Sequence, residues 1–232
     1  MKLKTYLFGL GASIASASAS AEIIDVEITN LTQGMYYTPL IVAAHQDNIQ
    51  FYQLGETASD ALATMAEGGD ISLLSAAVTG AGGVVSENPA GGLLAPASTT
   101  VLTDFDTGSN GYLSIAAMLL PTNDGFAALN AWPIPSTPGT YTINLNAYDA
   151  GSEVNDEIVN GGGALDVPGI PAAPGGQGGT GATGVTDTET NETVHVHRGN
   201  LGDSDATGGT SDVNSTVHRW LNPVAKVVVT VQ

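Results

Sequence analysis

Cysteine is absent from this 232-residue sequence. That removes a disulfide framework, a zinc-thiolate site and a thiol nucleophile. Cations are almost as scarce, with five Lys and Arg against 23 Asp and Glu and a formal net charge of −18. Two of the five, Lys2 and Lys4, precede an apolar stretch from Leu7 to Ile14 and the small-residue run Ala17-Ser18-Ala19-Ser20-Ala21. This is the pattern of a removable export signal over residues 1–21, which leaves a domain of residues 22–232 and predicts an extracellular or periplasmic destination. Only Arg198, Arg219 and Lys226 then remain as cations. A nucleic-acid binder that neutralises phosphates is excluded, and so is docking on an anionic membrane. No later stretch reaches the ~18 apolar residues of a membrane helix, so no membrane insertion is expected. Catalytic signatures are missing as well: there is no Gly-x-Ser-x-Gly elbow, phosphate-binding loop, His-Glu-x-x-His or dinucleotide fingerprint. The expectation is a non-enzymatic protein.

What the sequence does contain is alternation. In Ile24-Asp25-Val26-Glu27-Ile28-Thr29 the apolar residues share one face and the polar ones the other, as in a half-buried strand. Residues 39–45 form a short apolar run. Tyr112 to Leu120 is too apolar for a solvent-facing strand and predicts a central one. Residues 141–148, 194–197 and 225–231 alternate again. One clear helix is predicted from a Thr57 cap, with Asp60 as its capping-box partner, and Ala58, Ala61, Leu62, Met65 and Ala66 as its apolar stripe. Gly68 and Gly69 end it, and Asp70 can cap a second short helix. Met65 reads as core filler. Residues 80–97 read as a loop or irregular crossing. Ten of the 24 residues from 161 to 184 are Gly and three are Pro. Such composition buries too little to offset its ordering entropy, which predicts a flexible surface insertion over about residues 161–190. The total is an all-β fold: an antiparallel β-sandwich with one or two short helices and a long Gly-rich loop.

Four segments carry a resemblance. They are Leu54-Gly55-Glu56-Thr57-Ala58-Ser59-Asp60-Ala61-Leu62 through Met65-Ala66-Glu67-Gly68-Gly69-Asp70, then Ala117 to Phe126 with its Pro121-Thr122-Asn123-Asp124 turn, Tyr148-Asp149-Ala150-Gly151-Ser152-Glu153, and Asn222 to Val227. In this order they resemble the spondin amino-terminal domain of F-spondin, mindin and exported bacterial proteins. The resemblance implies a C2-like β-sandwich with one calcium ion at its loop end, in proteins of adhesion and extracellular matrix. It also implies the ligands: Asp124 at the acid of the Pro-x-x-Asp turn, Asp149 at the acid of the Asp-Ala-Gly segment, and Asp106 or Asp104 as a third. The chain departs from the family where Gly125 replaces an aromatic and where the cysteines of the animal domains are missing.

Physical chemistry points the same way, since two carboxylates ending apolar strands repel one another and a hard cation relieves them. Glu153 and Asp156 are further ligands or solvated loop acids. Asp203-Ser204-Asp205-Ala206-Thr207-Gly208 begins like a calcium loop, but its twelfth position is Asn214 rather than a bidentate Glu. His195 and His197 share a strand face and have the spacing to chelate zinc or copper, with His218 a remote third ligand, although outward-facing polar positions are the commoner case. The functional expectation is a secreted calcium-binding domain that contacts matrix, a cell-surface protein or a glycan. The alternatives are a polysaccharide-active hydrolase using Asp124 and Asp149, and a structural surface or filament subunit.

Overall fold

The computed structural model describes residues 22–176 and 178–232. The proposed export signal lies outside the described residues. In chain order the elements are β1 (Ile23–Asn30), β2 (Tyr36–Tyr37), β3 (Ile41–His45), α1 (Asp60–Gly68), α2 (Ser72–Gly80), β4 (Val84–Glu87), β5 (Thr99–Asp106), β6 (Tyr112–Leu120), β7 (Gly125–Pro133), β8 (Gly139–Asp149), β9 (His195–Val196) and β10 (Ala225–Val231). The strands run β4-β3-β6-β7-β8-β10-β1-β5, all pairs antiparallel, with β2 on β6 and β9 on β8. This is the expected all-β architecture, a nearly closed sheet.

β8 joins the two layers. Its first half, from Gly139 to Leu145, pairs with β10, and its last residues, Asn146 to Asp149, pair with β7. One core fills the space between the layers, where Ile24, Val26 and Ile28 of β1, with Val227 and Val229 of the neighbouring β10, pack with Leu113, Ile115 and Leu119 of β6. A second core lies on the outer face of the other layer, where Leu62, Met65 and Ala66 of α1 and Leu74 and Val78 of α2 cover Ile41, Met118 and Phe126. Two cores explain why β6 is apolar without alternation: its odd and even residues both point into protein.

Several elements differ from expectation. Ser59, not Thr57, caps α1; its Oγ accepts the Leu62 N–H at 3.2 Å. The β4, β5 and β7 strands were not foreseen. In β7 the reason is a bulge: the register slips opposite Leu113–Ile115, Ala131 has φ 48°, and its N–H donates to Ser114 Oγ at 2.8 Å. That hydroxyl also meets His45 Nε2 at 2.7 Å in a buried bridge. The Gly-rich segment is anchored in part. Ile170 is fully buried and its N–H donates to Ile158 O at 2.8 Å, while the Asp166, Gly169 and Thr180 N–H groups donate to the carboxylates of Glu67, Glu153 and Asp212 at 3.1, 3.2 and 2.6 Å.

Candidate metal centre

Asp124 and Asp149 meet at one end of the sheet because Gly125 and Asp149 are register partners across β7 and β8. The Thr122 side chain fixes the turn into β7, donating to Leu119 O at 2.5 Å while accepting the Gly125 N–H at 3.0 Å. Beyond β8 the chain folds back over the turn: the N–H groups of Ser152 and Glu153 donate to Asp124 Oδ2 at 2.8 and 3.1 Å. Asp149 Oδ1 accepts the Gly151 N–H at 2.9 Å, and its Oδ2 accepts the Asn155 amide at 2.8 Å. Both carboxyls are sealed, at 0 % and 1 % exposure.

Two carboxyl oxygens are left without partners. Asp124 Oδ1 is buried without a hydrogen-bond partner, and so is Glu153 Oε1. Burial, then the Asp149 charge, pushes the Asp124 carboxyl up to about 8, against the two backbone donors. Burial also pushes Glu153 up to about 7, with Glu67 and Asp156 adding repulsion against a hydrogen bond from Gly169. Asn123 steadies this flank, its amide donating to Asp156 Oδ1 at 2.9 Å and to Glu153 Oε2 at 3.4 Å.

β9 brings the histidines to Asp149, and this differs from the outward-facing expectation. His195 Nε2 and His197 Nε2 both lie 3.8 Å from Asp149 Oδ2, and His197 is buried. The ring of His197 takes the room that a side chain at position 125 would need: a Cβ on Gly125 would meet Thr122 Oγ1 at 2.8 Å and His197 Cδ2 at 3.1 Å. Burial drives His197 down to about 4 despite Asp149. Its Nδ1 accepts the Gly199 N–H at 2.9 Å, so the neutral ring carries its proton on Nε2 and has no lone pair for a metal. His218 is in the same position, with Nδ1 accepting the Asn214 N–H at 3.1 Å. A two-imidazole chelate is therefore not available in the neutral protein.

Asp104 and Asp106 do not join the pair. Asp106 is level with Ile23 at the start of β1, across the sheet from the Gly139 end of β8, whereas Asp149 closes the other end. Ten residues of strand separate Gly139 from Asp149, about 34 Å at strand rise. Asp104 instead sits in an edge bulge with φ 53°, its N–H donating to Asp25 Oδ1, and Asp106 Oδ1 accepts the Gly108 N–H. The acids of the Asp203 loop are also used internally, Asp203 accepting N–H groups of Asp205, Thr210 and Ser211. Among the described residues no group of three His, Asp or Glu is arranged to hold a metal ion. The fit to a cation rests on the orphaned Asp124 oxygen and the neighbouring Asp149 carboxylate, a pair rather than a full ligand set.

An all-β sandwich with a buried carboxylate pair at one loop end, half-covered by two short helices, defines the class of this protein. Residues 29–156, which hold both carboxylates and both helices, match the spondin N-terminal family, Spondin_N. The chain belongs to that family. No curated protein matches it. Among the described residues no helix is long and apolar enough to cross a membrane.

Proposed function

We propose that this is a secreted, calcium-binding adhesion domain without catalytic activity, acting through contacts with matrix, a cell-surface protein or a glycan. The observation that carries the calcium reading is the orphaned Oδ1 of Asp124, a fully buried carboxylate oxygen beside a second buried carboxylate. Calcium is the fitting cation because the groups at hand are carboxylate oxygens of Asp124 and Asp149, and an extracellular setting supplies that ion. The bound ion supplies charge neutralisation. The protein's own groups hold the acids in place: the Ser152 and Glu153 N–H groups on Asp124, and the Gly151 N–H and Asn155 amide on Asp149. A glycosidase reading has less support, since a carboxyl pair that solvent cannot reach cannot flank a glycosidic bond.

A ligand bound only by the folded state stabilises it by mass action. Calcium at about 100 times its Kd is expected to add about 2.7 kcal/mol, raising Tm by about 5–11 °C over the EDTA-treated protein. Asp124→Asn should abolish most of that increment, and Asp104→Asn should leave it intact. Equal Tm with EDTA and with calcium in the wild-type protein would rule the reading out.

A further inference from the structure

Two asparagines precede glycine, Asn110 and Asn160, and the fold treats them in opposite ways. An Asn-Gly peptide can cyclise, because glycine has no Cβ to shield its nitrogen from the asparagine side-chain carbonyl. Asn110 is held away from that reaction. It is buried, its amide donates to Thr107 O at 2.9 Å, and its Oδ1 accepts the Gln46 amide at 3.2 Å. Asn160 is exposed, and its side chain folds forward over the next peptide, where Oδ1 accepts the Gly162 N–H at 2.8 Å. Asn30 and Asn214 make the same turn, onto the N–H groups of Thr32 and Thr216, but the side chains of Leu31 and Ser215 shield the nitrogen between. At Gly161 φ is 80°, and among the described residues nothing lies within 4 Å of the place a Cβ would take. The Gly161 N–H makes a long bond of 3.3 Å to Ile170 O, which leaves its nitrogen weakly held.

We propose that Asn160 is a self-modification site with water as its co-reactant, and that its conversion to aspartate or isoaspartate unlatches residues 160–170 from α1. The Gly161 N–H gives its proton to hydroxide and the nitrogen attacks Cγ, closing a succinimide ring. The Cγ–Nδ2 bond breaks, and Nδ2 leaves as ammonia with a proton taken from water. Negative charge builds on Oδ1 as the ring closes, and the Gly162 N–H already sits there to stabilise it. Water then opens the ring, at Cγ to give Asp or at the main-chain carbonyl to give isoaspartate, whose main chain runs through the former side chain. The amide that is lost is the latch. Its Nδ2 donates to Pro168 O at 3.2 Å, and it lies against the Gly169 backbone. A carboxylate in its place has no proton to donate and faces the Pro168 carbonyl oxygen instead. From the same turn the Asp166 and Gly169 N–H groups reach the carboxylates of Glu67 and Glu153, so a further negative charge there adds repulsion to a lost bond. The modification needs neither the metal nor an adhesive partner.

The test is to age the whole exported chain at neutral and at mildly alkaline pH and to map its peptides by mass spectrometry, which reads the gain of about 1 Da at each converted asparagine. Asn160 is expected to convert at least ~10-fold faster than Asn110, because Asn110 must first release two buried hydrogen bonds. The rate at Asn160 should rise with pH, since hydroxide takes the first proton. Asn160→Gln, which would have to close a larger ring, should stay unmodified over the same period. Equal rates at Asn160 and Asn110, or no conversion at Asn160, would overturn the site. Asn160→Asp supplies one product without ageing. At unchanged far-ultraviolet circular dichroism, a broad-specificity protease should cut it within residues 161–184 at least ~5-fold faster than wild type. The aged wild-type protein is digested alongside, so the latch is tested even if the variant folds poorly: converted molecules should be cut before unconverted ones. Cleavage at equal rates in both comparisons would overturn the latch.

Discussion

Replacing Gly68 with Ala is expected to destabilise the protein by about 3 kcal/mol and to lower Tm by about 6–12 °C. The position is the last residue of α1, where the Gly-rich segment presses on the helix: a Cβ there would stand 1.8 Å from Gly163 O and 3.1 Å from its carbonyl carbon. The obstacle is backbone, so no rotamer change relieves it. Gly163 has little room to retreat, since its φ is 94° and its own Cβ position lies 2.6 Å from Glu67 O. The control is Gly80→Ala at the end of α2, where nothing lies within 4 Å and φ is not positive. There alanine should be neutral or stabilise by up to about 1 kcal/mol through helix propensity. Thermal melts by circular dichroism decide the matter. If Gly68→Ala melted within a degree of wild type, the segment after Asn160 would not be seated against α1 as described.

The metal-free protein is expected to lose stability as pH rises from about 6.5 to 8, opposite to the behaviour of ordinary salt-bridged carboxylates. An unfolded Asp titrates near ~4, whereas folded Asp124 is pushed up to about 8, so between those values the folded state holds the extra proton. Its stabilisation is complete below the unfolded value and is lost as pH climbs through the folded one. Glu153, pushed up to about 7, acts in the same direction over the lower part of that span. His197 opposes them, but only from its ordinary ~6.5 down to about 4, where falling pH costs stability because the buried ring resists the proton. Above about pH 6.5 the carboxylates act alone. Melts in EDTA should therefore show Tm falling across that window, and calcium should flatten or reverse the slope by holding the carboxylates ionised. A Tm that rises with pH in EDTA would show that these acids are not sealed as the hydrogen bonds imply.

Legibility from sequence followed the number of faces each segment buries. β1, β8 and β10 alternate because one face meets a core and the other meets water, and β6 reads as central because helices cover its second face. β5 hides behind its own bulge: Asp104 in the left-handed region breaks the alternation of Thr99 to Asp106, and its acids are candidate ligands through the family resemblance alone. β7 carries Asn130 and the bulged Ala131, and only the pairing with β6 makes sense of them. At the candidate site, Asp124 and Asp149 were legible because both end apolar strands. The contribution of His197 was not, because a two-residue β9 after a glycine-rich stretch gives no hint of which strand it will join. Asn123 and Asn155 were also missed. Each holds carboxylates through its amide, a role that only tertiary proximity creates.

The pairing of β1 with β10 has a mechanical consequence. Ile24 at the start of β1 lies opposite Val231 at the end of β10, and the Gln232 N–H donates to Ile23 O. A tether pulled through both flanks of this domain loads that pair first and then each next pair in turn, opening the sheet as a zipper rather than shearing all its rungs together. Such a domain yields at low tension. Pulling single molecules through both flanks should give a lower rupture force than pulling from Gln232 and a point beside Asn30, where the same rungs are loaded in shear; equal forces would show that another contact bears the load.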